Sequence, residues 1–316
     1  MLPELVRLLI VALAGGVGAA RFLEGLIRVV PQRRITIIGN VGDDIEFYGL
    51  HVSPDLDIVT YTLAGMVDPV RGWGFKGDTF YCQKLLQRYG YKTWFNIGDR
   101  DLATHLYRTE QMRQGKKLSA ATASIVSRLG LDVTLLPSTD DSLQTFVLSG
   151  RSRMHFQEYM VRRQTKPKVK RVLFKGSDSA KPAPQVIQSI NDASGVIICP
   201  SNPIVSIGAI LAVRGIRAAL RETKARILGI SPIVGGKTVK GPADKLMNAS
   251  NIEASAVGVA RYYKDFLDAL IIDKADAQLA PQIRSLGIKP IVTQTLMKTL
   301  ADKVHLARRA ISEFRH

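Results

Sequence analysis

Ile35-Thr36-Ile37-Ile38-Gly39-Asn40-Val41-Gly42-Asp43-Asp44 runs from a β-branched, mostly apolar segment through Gly and Asn into two adjacent carboxylates. A short continuous run of this kind, ended by glycine, reads as a strand buried on both faces of a parallel sheet. The loop after it presents acid groups. The chain carries 44 Lys and Arg against 27 Asp and Glu, a formal charge of +17, so carboxylates at such a point need a reason. A metal ion or a hydroxyl-bearing substrate would supply one. A second acidic loop, Ser53-Pro54-Asp55-Leu56-Asp57, follows closely.

Working outward, Leu8 to Leu13 reads as another buried strand, and Gly15-Gly16-Val17-Gly18 as the turn after it. Ala19 to Val30 is predicted helical, with Phe22, Leu23, Leu26 and Ile27 on one face and Pro31 closing it. The opening is therefore a strand-helix-strand unit. Further strands are predicted at Ile58–Leu63, Val133–Leu136, Val196–Cys199, Ile227–Ile230, Ala269–Ile272 and Ile288–Val292. Helices are predicted at Thr79–Tyr89, Ala103–Arg113, Ala120–Leu129, Ile210–Arg221, Ala256–Tyr263 and Leu300–Phe314, with Ser119 and Ser255 as caps. The alternation lapses over approximately residues 145–180, read as an inserted basic β-ribbon or small helical/β subdomain. The expected fold is one α/β domain over residues 1–316. It is a Rossmann-like, doubly wound, mostly parallel sheet. In such sheets ligands bind beyond the carboxyl ends of the strands.

Hydrophobic residues make up 46% of the chain, which excludes general disorder. Two cysteines, Cys82 and Cys199, form neither a disulfide framework nor a metal-ligand spacing. The first residues imitate a signal peptide through Arg7 and the apolar run after it, but Glu4 precedes that run. No stretch has the length of a membrane span, so a cytoplasmic location is expected. The basic clusters Arg151–Arg153 and Arg162–Arg171 read as solvated faces. Small anionic substrates are the expected partners, and nucleic acid and membrane are not.

Gly15, Gly16 and Gly18 follow a strand and open a helix, where backbone N–H groups can hold a phosphate. A turn that simply needs glycine is an equal reading. The spacing matches neither the dinucleotide fingerprint nor a Walker A loop, which counts against a nicotinamide-dependent oxidoreductase. Asp43, Asp44, Asp55 and Asp57 could share a divalent cation, and Mg2+ suits one or two carboxylates plus substrate oxygens. Asp44 and Asp57 are assigned the catalytic and metal roles, Asp43 and Asp55 those of caps. Ser201 and Asn202, in Pro200-Ser201-Asn202-Pro203, either contact a nucleotide or cap a helix. Gly235 and Gly236 in Ser231–Gly236 resemble a second phosphate-accepting turn, with Lys237 as counter-charge. Asp99 and Asp101 flank Arg100 as an internal salt-bridge network. Trp73 and Trp94 are candidates for stacking on a flat ligand. His155 and Gln157 alternate and share one side of a strand.

Several of these stretches together resemble the 2-phospho-L-lactate transferases of deazaflavin coenzyme (F-420) biosynthesis, the CofD-like family. The resemblance rests on Gly15–Gly18, Asn40–Asp44, Ser53–Asp57 and Arg71-Gly72-Trp73-Gly74. It continues through Gly98–His105, His155–Glu158, Pro200–Gly208 and Ser231–Gly236, in the family's order along nearly the whole chain. It implies a guanosine diphosphate-linked donor carrying a phospholactyl, phosphoenolpyruvyl or phosphoglyceryl group. The acceptor is the primary hydroxyl of the deazaflavin Fo, and the products are GMP and coenzyme F-420-0. Mg2+ assists, and no covalent intermediate forms. The resemblance places Fo contact at Asp57 and Asn96, beside Trp73. It places nucleotide contact at Gly15, Gly16, Gly18, Asn40, Ser201, Asn202, Gly235 and Gly236. Asn96 departs from the Lys or Arg expected there. A homodimer is the expected assembly. The alternative is a non-catalytic regulator of the same superfamily that binds a nucleotide sugar.

Overall fold

The computed structural model describes residues 8–239 and 241–314. Glu4 and Arg7 lie outside them. Seven parallel strands form the central sheet: β1 Ile10–Ala14, β2 Ile35–Gly39, β3 Thr134–Pro137, β4 Gly195–Ile198, β5 Arg226–Ile230, β6 Ala269–Asp273 and β7 Lys289–Thr293. Their spatial order is β7-β6-β5-β4-β1-β2-β3. β1 pairs with β2 on one side and β4 on the other, with Ile10 facing both Ile35 and Gly195. Every residue of β1 and β4 is buried, as expected for strands covered on both faces. The chain winds outward in both directions from β1, so the strand order reverses between β1 and β4. The loops leaving these two strands diverge and open a crevice there.

Helix α1, Gly16–Leu26, leaves β1 and buries Phe22, Leu23 and Leu26. The segment expected as a strand at Ile58–Leu63 is instead the second half of helix α2, Pro54–Leu63. Pro54 occupies the first helical turn, and every residue from Asp55 to Leu63 is buried. A helix buried on all sides has no polar stripe, so periodicity alone could not separate it from a strand. The remaining helices that shape the site are α3, Tyr81–Arg88, and α4, Asp99–Arg113.

The helix expected at Ile210–Arg221 is broken at Gly215 (φ 95°), and its two pieces meet at 87°. Asn202 caps the first piece by accepting the N–H groups of Ile204 (2.9 Å) and Val205 (3.3 Å). Ser255 caps its helix as expected, accepting from Gly258 N–H at 3.1 Å. Ser119 does not cap. It donates N–H and hydroxyl to Asp140 at 2.7 and 2.8 Å, so Asp140 does the capping from outside the helix.

Strands Gln144–Ser149, Ser152–His155 and Arg171–Lys175 form a three-stranded antiparallel sheet. A π-helical turn, Glu158–Arg162, follows its second strand. The basic clusters lie exposed here. Arg153 packs over the Phe146 ring at 4.2 Å, and Arg162 and Arg163 share Glu158 at 3.2 and 3.5 Å. Among the described residues no single helix is long and apolar enough to cross a membrane.

Candidate active site

A cleft of about 730 Å³ runs along the carboxyl ends of the strands. The glycine turn after β1, Ser201 and Asn202 after β4, and Ser231 after β5 line it, as do Asp43, Asp55 and Asp57, Trp73 and Asn96. Gly16 has a left-handed φ of 75°, which lets the chain turn from strand into helix within one residue. Gly15 is needed for space. Its N–H donates to Ser201 Oγ at 3.2 Å, and a Cβ there would stand 2.7 Å from both Asp55 Oδ2 and Ser206 Cβ. Gly15 N–H is therefore spent on Ser201 and Gly16 N–H on Asp55, and the first free donors of α1 follow Gly16. Ser201, having accepted from Gly15, keeps its own hydroxyl hydrogen for a ligand. Gly15→Ala is expected to cost about 1–3 kcal/mol through overpacking. Thermal denaturation of the variant beside wild type would show the loss.

The carboxylates divide differently from expectation. Asp44 Oδ2 accepts from Ser53 Oγ at 2.7 Å and contacts His51 Nε2 at 2.9 Å, and the residue does not line the cleft. Both oxygens of Asp57 are held by Arg108. A guanidinium on both oxygens satisfies that carboxylate and repels a second cation. Asp44 and Asp57 are thus not set up as a metal pair. The unpaired acids are Asp43 and Asp55, the two expected as caps. Both are buried, and neither has a cationic partner among the described residues. Asp43 Oδ1 and Asp44 Oδ1 are both buried without a hydrogen-bond partner among the described residues, but Asp44 has His51 and Ser53 on its other oxygen. Burial, then repulsion from Asp55, pushes Asp43 well above the usual carboxylate range. Burial pushes Asp55 up to about 6, against the pull of Asn40 and the Gly16 backbone.

Asn40 does not face the cleft. It donates to Asp55 Oδ2 at 2.9 Å and accepts from Gly42 N–H at 2.8 Å, so it aims the acidic loop rather than touching a nucleotide. Gly235 and Gly236 also lie off the cleft. With φ of 59° and 72° they form the two-residue turn between Ile233–Val234 and Lys237–Thr238, and Gly235 N–H donates to Asp276 at 3.0 Å. The glycines answer the turn's geometry and not a phosphate. Trp94 packs edge-on against Phe47 (5.2 Å, 87°) away from the cleft. Trp73 does line it, with the Arg71 guanidinium 5.4 Å from its ring, and Asn96 accepts from Gln83 at 3.0 Å. Gln157 lines the cleft, whereas His155 accepts the Gln157 N–H at 3.2 Å behind it.

The expected network around Arg100 is absent among the described residues. Asp99 caps α3 through the N–H groups of Tyr81 (2.9 Å) and Cys82 (3.0 Å). Asp101 turns inward and accepts from Tyr61 Oη at 2.8 Å. With His105 and Arg108 it forms a buried polar stripe on α4. Neither His105 nor Arg108 was assigned a role from the sequence. The signal was present: Asp101, His105 and Arg108 are spaced i, i+4, i+7, which puts three polar groups on one helix face.

The model of the family "2-phospho-L-lactate transferase CofD" matches residues 10–305. The chain belongs to that family. Membership makes it a transferase of coenzyme F-420 biosynthesis. A Streptomyces coelicolor protein named phosphoenolpyruvate transferase is 43% identical over 96% of this chain and 97% of its own length. A Methanocaldococcus jannaschii protein named 2-phospho-L-lactate transferase is 38% identical over 96% and 97%. A solved structure of a UPF0052 family member from Bacillus halodurans aligns at a TM-score of 0.64 and 16% identity, over 96% of this chain and 98% of that one. That likeness supports the fold alone.

Proposed function

We propose that this CofD family member transfers a phosphoenolpyruvyl group from a guanosine diphosphate-linked donor to the primary hydroxyl of the deazaflavin Fo, releasing GMP. The observation that carries this reading is a single cleft that gathers both sets of groups. A glycine turn, a helix start and the Ser201 hydroxyl suit a diphosphate. Carboxylates and the Trp73 ring suit a flat, hydroxyl-bearing acceptor. The donor's acid is chosen from the relatives: those named phosphoenolpyruvate transferase reach 44% identity, while the two archaeal ones named for phospholactate stand at 35% and 38%.

The reaction balances simply. The Fo hydroxyl oxygen attacks the phosphorus that bears the three-carbon acid, the bond from that phosphorus to the GMP oxygen breaks, and the hydroxyl proton passes to a carboxylate or to solvent. Such a transfer needs positioning and charge neutralisation and no protein nucleophile. Asp43 and Asp55 would hold Mg2+, which suits two buried acids without a counter-charge. Among the described residues no third His, Cys, Asp or Glu joins them, so other ligands would be water and phosphate oxygens. Bound there, Mg2+ would neutralise the diphosphate and act as a Lewis acid. Helix α1 and Ser201 hold the phosphates, Trp73 stacks on the ring system, and Asn40 keeps Asp55 aimed. The protein would work in the cytoplasm, as a homodimer.

Incubation with Fo, Mg2+ and each guanylated donor, followed by GMP release and F-420-0 formation, tests the reading. Turnover should be fastest with the phosphoenolpyruvyl donor. No turnover with any donor, alongside tight binding of a nucleotide sugar, would sink it in favour of the regulator. Trp73→Ala should raise KM for Fo by about tenfold, the loss of one aromatic stack. KM for the donor should stay unchanged.

A further inference from the structure

His105 is 1% exposed, yet it lines the cleft between two carboxylates. Its Nδ1 lies 3.3 Å from Arg108 Nη1 and 3.7 Å from Asp57 Oδ2. A guanidinium nitrogen only donates, so Nδ1 must accept, and the proton of the neutral ring sits on Nε2. That N–H has no hydrogen-bond partner among the described residues. The nearest acceptor, Asp101 Oδ1, stands at 3.4 Å and already takes the Tyr61 hydroxyl at 2.8 Å. A buried donor left unmade is costly, so its persistence beside a cleft calls for a ligand atom.

From this geometry we propose that His105 and Asp101 form a subsite for vicinal hydroxyls of the acceptor's side chain, with His105 Nε2–H donating to one hydroxyl oxygen and Asp101 accepting from a neighbouring hydroxyl. This rests on Fo, whose polyol side chain ends in the reacting hydroxyl, being the acceptor. A polyol needs donors and acceptors side by side. Asp101 offers an acceptor, and His105 supplies a donor beside it. Arg108 is the positioning residue, because its contact with Nδ1 fixes which ring nitrogen carries the proton.

The test is fluorescence titration of Fo, and of a deazaflavin whose side chain is a plain alkyl group, into wild type, His105→Phe and His105→Gln. GDP affinity is measured in parallel. Wild type should bind Fo at least tenfold more tightly than the alkyl analogue. His105→Phe should lose that preference and bind the analogue as wild type does. His105→Gln, which keeps an N–H donor, should recover part of it, and GDP affinity should not move. Equal loss of Fo, analogue and GDP would make His105 a purely structural residue and overturn the proposal, as would an unchanged preference in both variants. A wild type that binds GDP but no Fo would overturn the acceptor itself, and the subsite with it.

Discussion

Arg108→Met is expected to be the most destabilising single change in the site, lowering stability by about 3–5 kcal/mol and the thermal midpoint by roughly 10 °C. Arg108 is 1% exposed and holds both oxygens of Asp57. Burial works to lower its basicity, but the attraction and hydrogen bonds of Asp57, with Tyr61 and Asp44 beside it, together raise it. Removing the guanidinium strands a carboxylate in a pocket already crowded with acids. The catalytic role that the sequence reading assigns to Asp57 would make Asp57→Ala a clean probe of catalysis. The structure says otherwise, because that change strands a buried guanidinium instead. The informative variant is the double one, Asp57→Leu with Arg108→Met. Replacing a buried ion pair with apolar groups of similar size is often neutral, so the double variant should regain most of the midpoint while remaining without transfer. Additive loss of stability in the double variant would show that the pair is not one unit.

The fold was legible because its strands are short, mainly apolar runs, and β1, β2, β3 and β5 end at or next to Gly, Pro or Ser where the chain leaves the sheet. β1, β2 and β5 announce themselves in this way. α2 did not, since Leu56 to Leu63 is buried on every side and shows no polar stripe to mark a helix. The site was legible as a set of loops and not as a set of roles. Asp43 and Asp44 are neighbours of identical chemistry, and only the positions of His51 and Ser53, both on Asp44 Oδ2, tell them apart. Arg108 lies 51 residues from Asp57 in sequence, too far for any local pattern to join them. Gly235 and Gly236 misled because a hairpin turn and a phosphate loop ask for the same residue. The charge of +17 is carried in part by the exposed basic sheet, while the cleft wall facing the acceptor is acidic.

That acidic wall gives the second large effect. Asp55→Asn should reduce transfer roughly a thousandfold, equivalent to about 4 kcal/mol of lost metal assistance, while making the metal-free protein more stable near neutral pH. The sign follows from linkage. Asp55 ionises at about 6 in the folded chain, against an ordinary value of 3.8. Between those two values the folded chain keeps a proton that the unfolded chain has released. Stability therefore falls as pH rises through that window, and the loss is complete above it. Asparagine removes the repulsion and with it this part of the pH slope. Magnesium should do the same for the wild type by binding only the folded state. Thermal midpoints between pH 4 and 7.5, with and without Mg2+, read all three effects together. At neutral pH the wild-type midpoint should rise on adding Mg2+, and that of Asp55→Asn should barely respond. An equal Mg2+ response in both proteins would place the cation elsewhere in the cleft and leave Asp43 and Asp55 as an unexplained pair of neutralised acids.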